Sequence, residues 1–197
     1  MVIDTVLREG KYTIIGLVDD GEVAPAVLGF QVFKRLEEVP SKPSNFIVAI
    51  GDNKTRKQKF EKLKEAGWKP ATIVHPTAVI SEFARIGEGS LICLKANINT
   101  DARVGDNVII NSGANVEHEC NIGSHVHIST GVNLAGRSRV CEGAFAGISS
   151  TTIPGIELGE WSTVAAGAVV IKDVAPSARV AGVPAKLMRS KATQSLG

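Results

Sequence analysis

The most constraining feature of this sequence is a six-residue repeat in its second half. Every sixth residue from Ile80 to Val170 forms one series, and fourteen of its sixteen members are Ile, Val or Leu; the exceptions are Ala146 and Thr152. Two residues before most of these positions the side chain is small, usually Ala or Ser. Residues two apart along a strand face the same side, so both sets are expected to share one interior. A period this short predicts stacked units of one short strand each.

A longer period of eighteen residues is superimposed on the first. Glycine follows the aliphatic residue at Gly87, Gly105, Gly123 and Gly159, and Cys141 interrupts this series. Three six-residue units therefore close one triangular coil, which is the geometry of a left-handed parallel β-helix. About five coils are expected, stacked about 4.8 Å apart. Because a flat side of each subunit can pack against its neighbours, we expect a homotrimer.

Composition excludes several classes of function. The 197 residues carry a formal net charge of +2, which gives no reason to expect nucleic acid or an anionic membrane as a partner. No apolar run approaches the roughly 20 residues of a membrane span, and no leader pattern opens the chain, so a cytoplasmic protein is expected. Three cysteines without a CxxC pair argue against a disulfide framework or a zinc knuckle.

Residues 1–75 have a different pattern, which predicts a small α/β domain. The segments "YTIIGLVDD" and "NFIVAIGDN" are predicted to be strands that end in polar residues. A helix is predicted to follow, with Asn53 as its N-cap, Phe60 on its buried face and Gly67 at its end. This alternation predicts a Rossmann-like domain with ligand groups at the carboxyl ends of its strands.

The phosphate-binding glycine turn GxGxxG, which should open such a domain, is absent. The first ten residues, "MVIDTVLREG", are similar to the helix that would follow that turn. Either the first strand and its turn were lost, or the sequence starts downstream of them. A packing scaffold without a ligand is the alternative interpretation of this domain.

Three of the four histidines lie within ten positions, in "NVEHECNIGSHVHIST". A metal site is one interpretation, but the spacings of seven (His118 to His125) and two (His125 to His127) fit zinc ligation poorly. Inward positions share the parity of Ile122, so His125 and His127 should point outward, and His118 falls at a corner. None of the three is therefore expected in the core.

The Glu-His-Glu triplet at 117–119 suits acid–base chemistry. An imidazole can take a proton from an attacking amine or hydroxyl near neutral pH, and a neighbouring carboxylate orients the ring and stabilises its cation. Acyl transfer from a thioester needs such a base and a donor to the oxyanion that forms on the thioester oxygen. Backbone N–H groups beside glycines, or a second imidazole, would serve as that donor.

The sequence resembles the NeuD/PglD-type bacterial sugar acyltransferases, which join a small Rossmann-like domain to a hexapeptide β-helix. The resemblance is carried by "LVDD", "AIGDNKTR", "IVHPTAVIS", "NSGANVEHECNIGSHVHISTGVNLAG" and "VAGVPAKLMR", spread over nearly the whole chain. It implies an acetyl-CoA-dependent N-acetyltransferase of surface glycan synthesis. The acceptor would be a nucleotide-linked amino sugar, expected to be a 4-amino-4,6-dideoxy sugar, with acetyl-CoA as co-substrate and no metal.

The resemblance also implies roles for individual residues. His118 would be the general base, Glu119 its partner, and His127 a contact to the acetyl thioester. The rest of the acetyl-CoA site would comprise Asn111, Gly136, Gly147, Ile148, Ala166 and Lys186. The nucleotide-linked sugar would be held by Asp19, Asp20, Gly51, Asp52 and Asn53. The chain would then divide into a truncated nucleotide-sugar-binding domain (1–75), a β-helix acyltransferase domain (76–175), and a CoA-proximal segment with a tail (176–197).

Three other functions remain open at this point. An O-acetyltransferase acting on a sialic-acid-type hydroxyl is the nearest, while a metal-dependent trimeric hydratase and a catalytically inactive scaffold belong to different classes. Geometry adds a further expectation. His118 and His127 are nine residues apart, half a coil, so one chain can hardly bring both to one substrate. A cleft between subunits could take one histidine from each.

Overall fold

The computed structural model describes residues 1–40 and 45–188. It opens with a small α/β region, whose first helix, α1 (Val2–Glu9), ends at Gly10 in the left-handed conformation. Strands β1 (Leu17–Val18), β2 (Ala26–Val27) and β3 (Phe30–Phe33) form a sheet in the order β1-β3-β2, followed by a 3-10 turn at Leu36–Glu38. Strand β4 (Asn45–Phe46) pairs in parallel with β5 (Lys69–Pro70). The two predicted strands are present but shorter than their apolar runs.

Helix α2 (Asn53–Glu65) connects β4 to β5. Its N-cap is Asp52, whose carboxylate accepts the backbone N–H of Thr55 at 2.8 Å, so the prediction of Asn53 as the cap was wrong by one residue. The error arises because both residue types cap helices well, and the choice depends on which side chain is free to bend back. Asn53 is not free, because its side chain is buried against the β-helix. Within the described ranges, no helix is both long and apolar enough to cross a membrane.

The remainder of the described chain is a parallel β-helix with three faces. The first face contains β7 (Val79–Ile80), β10 (Asn97–Ile98), β13 (Asn115–Val116), β16 (Asn133–Leu134), β19 (Thr151–Thr152) and β22 (Val169–Val170). The second contains β8 (Arg85–Ile86), β11 (Arg103–Val104), β14 (Asn121–Ile122), β17 (Arg139–Val140) and β20 (Glu157–Leu158). The third contains β6 (Ile73–Val74), β9 (Leu91–Ile92), β12 (Ile109–Ile110), β15 (His127–Ile128), β18 (Phe145–Ala146), β21 (Thr163–Val164) and β23 (Arg179–Ala181), and ends in the antiparallel β24 (Lys186–Leu187).

The interior is the one that the repeat predicts. In each two-residue strand the second side chain points inward, and in the central coils Ile98, Ile110 and Ile128 are completely buried. Small residues two positions earlier, such as Ala96 and Ala114, are also completely buried and fill the corners. The β-helix begins at β6, because Ile73 and Val74 already pair with β9 in the next coil.

The outward residues make the three faces different. The second face presents mostly charged side chains (Arg85, Arg103, Asn121, Arg139 and Glu157). The first face presents none, only Val79, Asn97, Asn115, Asn133, Thr151 and Val169. The lower third face presents Ile73, Leu91 and Ile109, which pack in an apolar cluster with Val6 of α1. The N-terminal region therefore covers the lower part of the third face.

His125 corrects one expectation about the histidines. It points away from the interior as its parity predicts, yet it is only 6% exposed. Helix α2 covers it, with the Phe60 ring packed edge-on at 5.9 Å, and its Nδ1 lies 2.9 Å from the Asn107 amide. Burial lowers the pKa of His125, so the ring is held neutral in the domain contact. Parity along a strand cannot reveal a cover that is supplied by a distant segment.

Candidate active site

His118 and Glu119 form an acid–base pair at the corner between the first and second faces. The Nδ1 atom of His118 lies 2.9 Å from Oε2 of Glu119. A carboxylate in this position accepts the Nδ1–H and leaves the lone pair on Nε2, the form that a general base requires. The two side chains are 43% and 50% exposed in the single chain, so the pair is accessible to a substrate.

Gly136 forms the surface on which the His118 ring lies. A Cβ atom built on this glycine would lie 2.5 Å from Nε2 and 2.6 Å from Cε1, closer than atoms can approach. The two residues are eighteen positions apart, one full coil, so Gly136 stacks on the corner that carries His118. In the same coil the backbone N–H of Arg137 donates to the His118 carbonyl at 2.9 Å. The absent side chain thus allows the His118 ring to pack against the backbone of the next coil.

Glu117 belongs to a network of amides rather than to the His118–Glu119 pair. Its two carboxylate oxygens accept from Asn115 (2.8 Å) and Asn99 (3.0 Å), and Asn97 donates to Asn115 at 2.6 Å. The hydrogen bond from Asn115 is the main reason that the pKa of Glu117 is lowered. Glu117 is therefore an ionised residue that fixes the corner next to His118.

His127 lies in the middle of the third face, where it forms a second cluster of polar groups with Gly51 and Asn111. Its Nδ1 is 3.3 Å from the carbonyl oxygen of Gly51, and its Nε2 is 3.3 Å from the Asn111 amide nitrogen. The Phe145 ring packs edge-on against it at 5.3 Å. Burial is the main cause that lowers the pKa of His127, so the ring is neutral near pH 7.

The residues predicted to bind acetyl-CoA lie at two separate corners. Gly136 is beside His118, whereas Asn111, Gly147, Ile148 and Ala166 share the corner between the third and first faces. Lys186 is exposed on β24. The second face lies between His118 and His127 along the chain, so one chain does not bring the two histidines together.

The residues predicted to hold the nucleotide-linked sugar fall into two groups, one after β1 and one at the start of α2. Asp20 is 3.3 Å from Lys59 of that helix, and Asp19 accepts the backbone N–H of Gly21 at 2.9 Å. Gly51, Asp52 and Asn53 begin α2 and line a cleft of about 280 Å³ against the third face. The wall of the cleft on the β-helix side consists of Gly143, Phe145, Trp161, Ser162 and Thr163.

Two buried side chains of α2 hold this domain contact, and only the first was singled out from the sequence, for other roles. Asn53 donates to the carbonyl oxygens of Gly143 and Ala144, both at 3.0 Å, and Arg56 is only 1% exposed. Arg56 is one of several basic residues in "NKTRKQK", and its neighbours in the sequence do not distinguish it. In contrast, the position of Gly136 next to His118 could have been read from the eighteen-residue period.

The interpretation of the three histidines as a metal site requires that they converge. His118, His125 and His127 lie in three different environments, and within residues 1–40 and 45–188 no three His, Cys, Asp or Glu side chains are grouped to hold a metal ion. Burial raises the pKa of all three thiols, in Cys93 to about 11, so none is activated as a nucleophile. The β-helix with a carboxylate-oriented histidine at its corner defines a hexapeptide-repeat acyltransferase.

Comparison with known proteins places the chain more narrowly. The family model of the PglD N-terminal domain matches residues 1–63. The structure is similar to that of PerB from Caulobacter crescentus in complex with CoA and GDP-perosamine, with 36% identity, a TM-score of 0.86 and coverage of 95% of this chain and 91% of that one. It is also similar to the acetyltransferase domain of PglB from Neisseria gonorrhoeae, with 32% identity, a TM-score of 0.89 and coverage of 95% and 93%. The chain belongs to the NeuD/PglD-type family of sugar acetyltransferases.

A curated sugar N-acetyltransferase is also similar to this chain over a short segment. The UDP-N-acetylbacillosamine N-acetyltransferase of Bacillus subtilis is 43% identical over 47 residues, which make up 24% of this chain and 22% of that protein. The predicted fold class and family are thus confirmed, and so is acetyl-CoA-dependent acyl transfer as the class of reaction. The roles of the individual site residues remain predictions.

Proposed function

We propose that this protein transfers the acetyl group of acetyl-CoA to the amino group of a nucleotide-linked amino sugar, with His118 as the general base. The observation that carries the proposal is the free Nε2 of His118, held over Gly136 while Nδ1 is bound to Glu119 at 2.9 Å. Related enzymes support the substrate class, since PerB was crystallised with CoA and GDP-perosamine. The proposal includes a cytoplasmic location and a 4-amino-4,6-dideoxy sugar as acceptor.

The proposed reaction is a direct acyl transfer. Nε2 of His118 takes a proton from the amine as its nitrogen attacks the thioester carbonyl carbon. The oxyanion that forms needs hydrogen-bond donors, and the backbone N–H of Gly136, next to the His118 ring, is proposed as one of them. When the C–S bond breaks, the CoA thiolate takes the proton from the imidazolium. Glu119 stabilises that cation throughout and keeps the ring in the required tautomer.

The complete site is proposed to form between the subunits of a homotrimer. The strands of the first face carry no charged outward residue, and Glu117 lies at the edge of this face, beside the corner of His118. Charged residues are depleted in the cores of subunit interfaces. This face is bounded by the corner of His118 on one side and the corner of Asn111 on the other. If the first faces surround a three-fold axis, the two kinds of corner from neighbouring subunits meet. That cleft would bring His118 of one subunit to His127 and Asn111 of the next.

A mixed-trimer experiment tests this arrangement. Subunits with His118→Ala and subunits with His127→Ala are each expected to be inactive alone. When the two are unfolded together and reassembled, some clefts receive both native histidines, so part of the activity should return. Reassembly without any recovery, when wild-type subunits recover under the same conditions, would contradict a shared site.

The acceptor is proposed to bind around the start of α2. The cleft between Gly51–Asn53 and the third face offers the N-terminus of a 13-residue helix, which favours an anionic phosphate. Trp161 supplies an aromatic wall with Lys54 5.9 Å from its ring. Asp19 and Asp20 complete the proposed sugar-nucleotide site from the end of β1.

The deciding assay measures thiol release from acetyl-CoA with a panel of nucleotide-linked 4-amino sugars. Release with one of them, lost in His118→Ala, is the expected result. Acetylation of a hydroxyl sugar alone would favour the O-acetyltransferase, and activity that needs added zinc would favour the hydratase. If CoA binds, as measured by thermal shift, but no acceptor is acetylated, the protein would be interpreted as a catalytically inactive scaffold.

A further inference from the structure

Arg56 on α2 is buried in the contact between the N-terminal region and the β-helix. Its guanidinium donates to five backbone carbonyl oxygens: those of Asn107 (3.2 Å), Ile50 (3.1 Å), Gly51 (3.2 Å), His125 (2.7 Å) and Val126 (3.2 Å). These bonds use its full set of five donors. No carboxylate within the described residues lies within 4.0 Å of it, and burial lowers the pKa of Arg56 to about 10. The group remains a cation near pH 7 and joins the two parts of the chain through carbonyl dipoles.

One of these carbonyls connects Arg56 to the acyl-donor side of the site. The Gly51 oxygen accepts from Nη1 of Arg56 and also faces Nδ1 of His127 at 3.3 Å. A carbonyl oxygen can only accept, so Nδ1 must carry the proton of the neutral imidazole. The lone pair of the ring is then on Nε2. Protonation of Nε2 would create a second cation near Arg56. The positive charge of Arg56 therefore lowers the pKa of His127 further, in addition to the larger effect of burial.

Asn111 is held between the backbone N–H of Ser112 and Nε2 of His127, which matches the unprotonated Nε2 of that tautomer. The Asn111 Oδ1 atom accepts the backbone N–H of Ser112 at 2.8 Å, which settles which end of the amide is oxygen. Its Nδ2 therefore donates to Nε2 of His127 at 3.3 Å. An amide nitrogen has two hydrogens, so one N–H of Asn111 remains at the corner shared with Ile148 and Ala166. That N–H is suited to donate to a thioester oxygen.

We propose that Arg56 is a positioning residue for the acyl donor: it holds the Gly51 carbonyl against His127, which keeps His127 in the Nδ1–H tautomer and turns an N–H of Asn111 toward the acetyl group. The inference rests on the proposed function and changes one predicted role. His127 orients Asn111, and Asn111 contacts the thioester oxygen. The helix that begins at the proposed sugar site thereby also sets the geometry of the acyl-donor site.

The first test measures the tautomer directly in the wild-type protein at neutral pH, without any acceptor sugar. Two-bond ¹H–¹⁵N spectra distinguish a protonated from an unprotonated ring nitrogen, and His127→Gln assigns the signal among four histidines. A protonated Nδ1 and an unprotonated Nε2 are expected. A signal from the Nε2–H tautomer or from imidazolium would overturn the proposal.

The second test compares the affinities for acetyl-CoA and CoA by calorimetry. The ratio of the two dissociation constants isolates the contact with the acetyl group. In Asn111→Ala and in Arg56→Lys this ratio should fall roughly tenfold toward one, as expected for loss of one hydrogen bond, while CoA affinity stays unchanged. Lys62→Met, an exposed substitution on the same helix, is the matched control and should preserve the ratio.

The outcomes separate this inference from the proposed function. An equal loss of both affinities in Arg56→Lys would show a purely structural role, and an unchanged ratio in Asn111→Ala would remove Asn111 as the contact; either result overturns the inference. Arg56→Met, which removes all five hydrogen bonds from the guanidinium, is expected to shift the His127 spectrum toward mixed tautomers. If that variant does not fold, the wild-type spectrum and the affinity ratio of Arg56→Lys still test the proposed role of Arg56. Failure of every sugar to be acetylated would not alter these measurements.

Discussion

Substitution of Gly136 by alanine should reduce catalysis by displacing the His118 ring. The new Cβ would lie 2.5 Å from Nε2, 2.6 Å from Cε1 and 3.1 Å from Cδ2. Non-bonded heavy atoms prefer separations of about 3.5 Å, so the ring must retreat by about 1 Å. The backbone at Gly136 is not in the left-handed region, so alanine itself is tolerated there. The ring is half exposed and can move outward without unfolding the coil.

The size of the effect follows from that displacement. A misplacement of about 1 Å in a reacting group can cost about 100-fold in rate, or about 2.7 kcal/mol in the activation barrier. The assay is thiol release at saturating acetyl-CoA and acceptor, with circular dichroism to check the fold. We expect kcat to fall about 100-fold.

A double-mutant cycle with His118→Ala tests the cause. Residues in contact are coupled, so Gly136→Ala should add almost no loss once the ring is absent. A kcat for Gly136→Ala within about threefold of the wild type would refute the reasoning from distance. An equal loss in both backgrounds would show that the methyl group acts on the substrate and not on His118.

Three further predictions concern neighbouring groups. Glu119→Gln should lower kcat about 100-fold, because the imidazolium loses its counter-charge, and equal pH–rate profiles for variant and wild type would contradict this role. His125→Gln should reduce acid sensitivity. The folded pKa of His125 is lowered from its ordinary value near 6.5, so below that pH the unfolded chain takes up a proton that the folded chain does not. Stability is therefore lost as the pH falls, by up to about 1.4 kcal/mol per pH unit for this group, and urea midpoints between about pH 7.5 and 5.5 should fall less steeply in the variant; identical slopes would refute this. Asn53→Leu should destabilise the protein by about 1–3 kcal/mol, as measured by urea unfolding, because it removes two hydrogen bonds to the β-helix and leaves the Gly143 carbonyl without its donor. The exposed Gln58→Ala on the same helix is the control, and equal effects of the two would show that the docking bonds contribute nothing.

The repeat allowed much of the β-helix to be predicted because its period is a local property of the chain. Side-chain direction alternates every two residues and the coil closes every eighteen, so Ile98 and Ile110 could be placed in the interior from sequence alone. The same rule, applied one coil apart, would also place Asn107 beside His125 and Gly136 beside His118, as the structure shows. The rule could not predict which outward residues are buried by other parts of the chain. His125 leaves the interior as predicted, but a helix formed by residues more than sixty positions earlier buries it.

The candidate site likewise has one part that follows from local sequence and one part that depends on tertiary contacts. His118 and Glu119 are consecutive, so their pairing at a corner is a local property that could be predicted from the sequence, together with the family and its chemistry. The tertiary structure alone decided the environment of His127, because its Nδ1 partner is the carbonyl of Gly51, 76 residues away. A backbone oxygen carries no signature in the sequence, and neither does the arginine that holds it. Only the docking of α2 on the third face brings these groups together, which is why the positioning of the acyl donor could not be read from the chain.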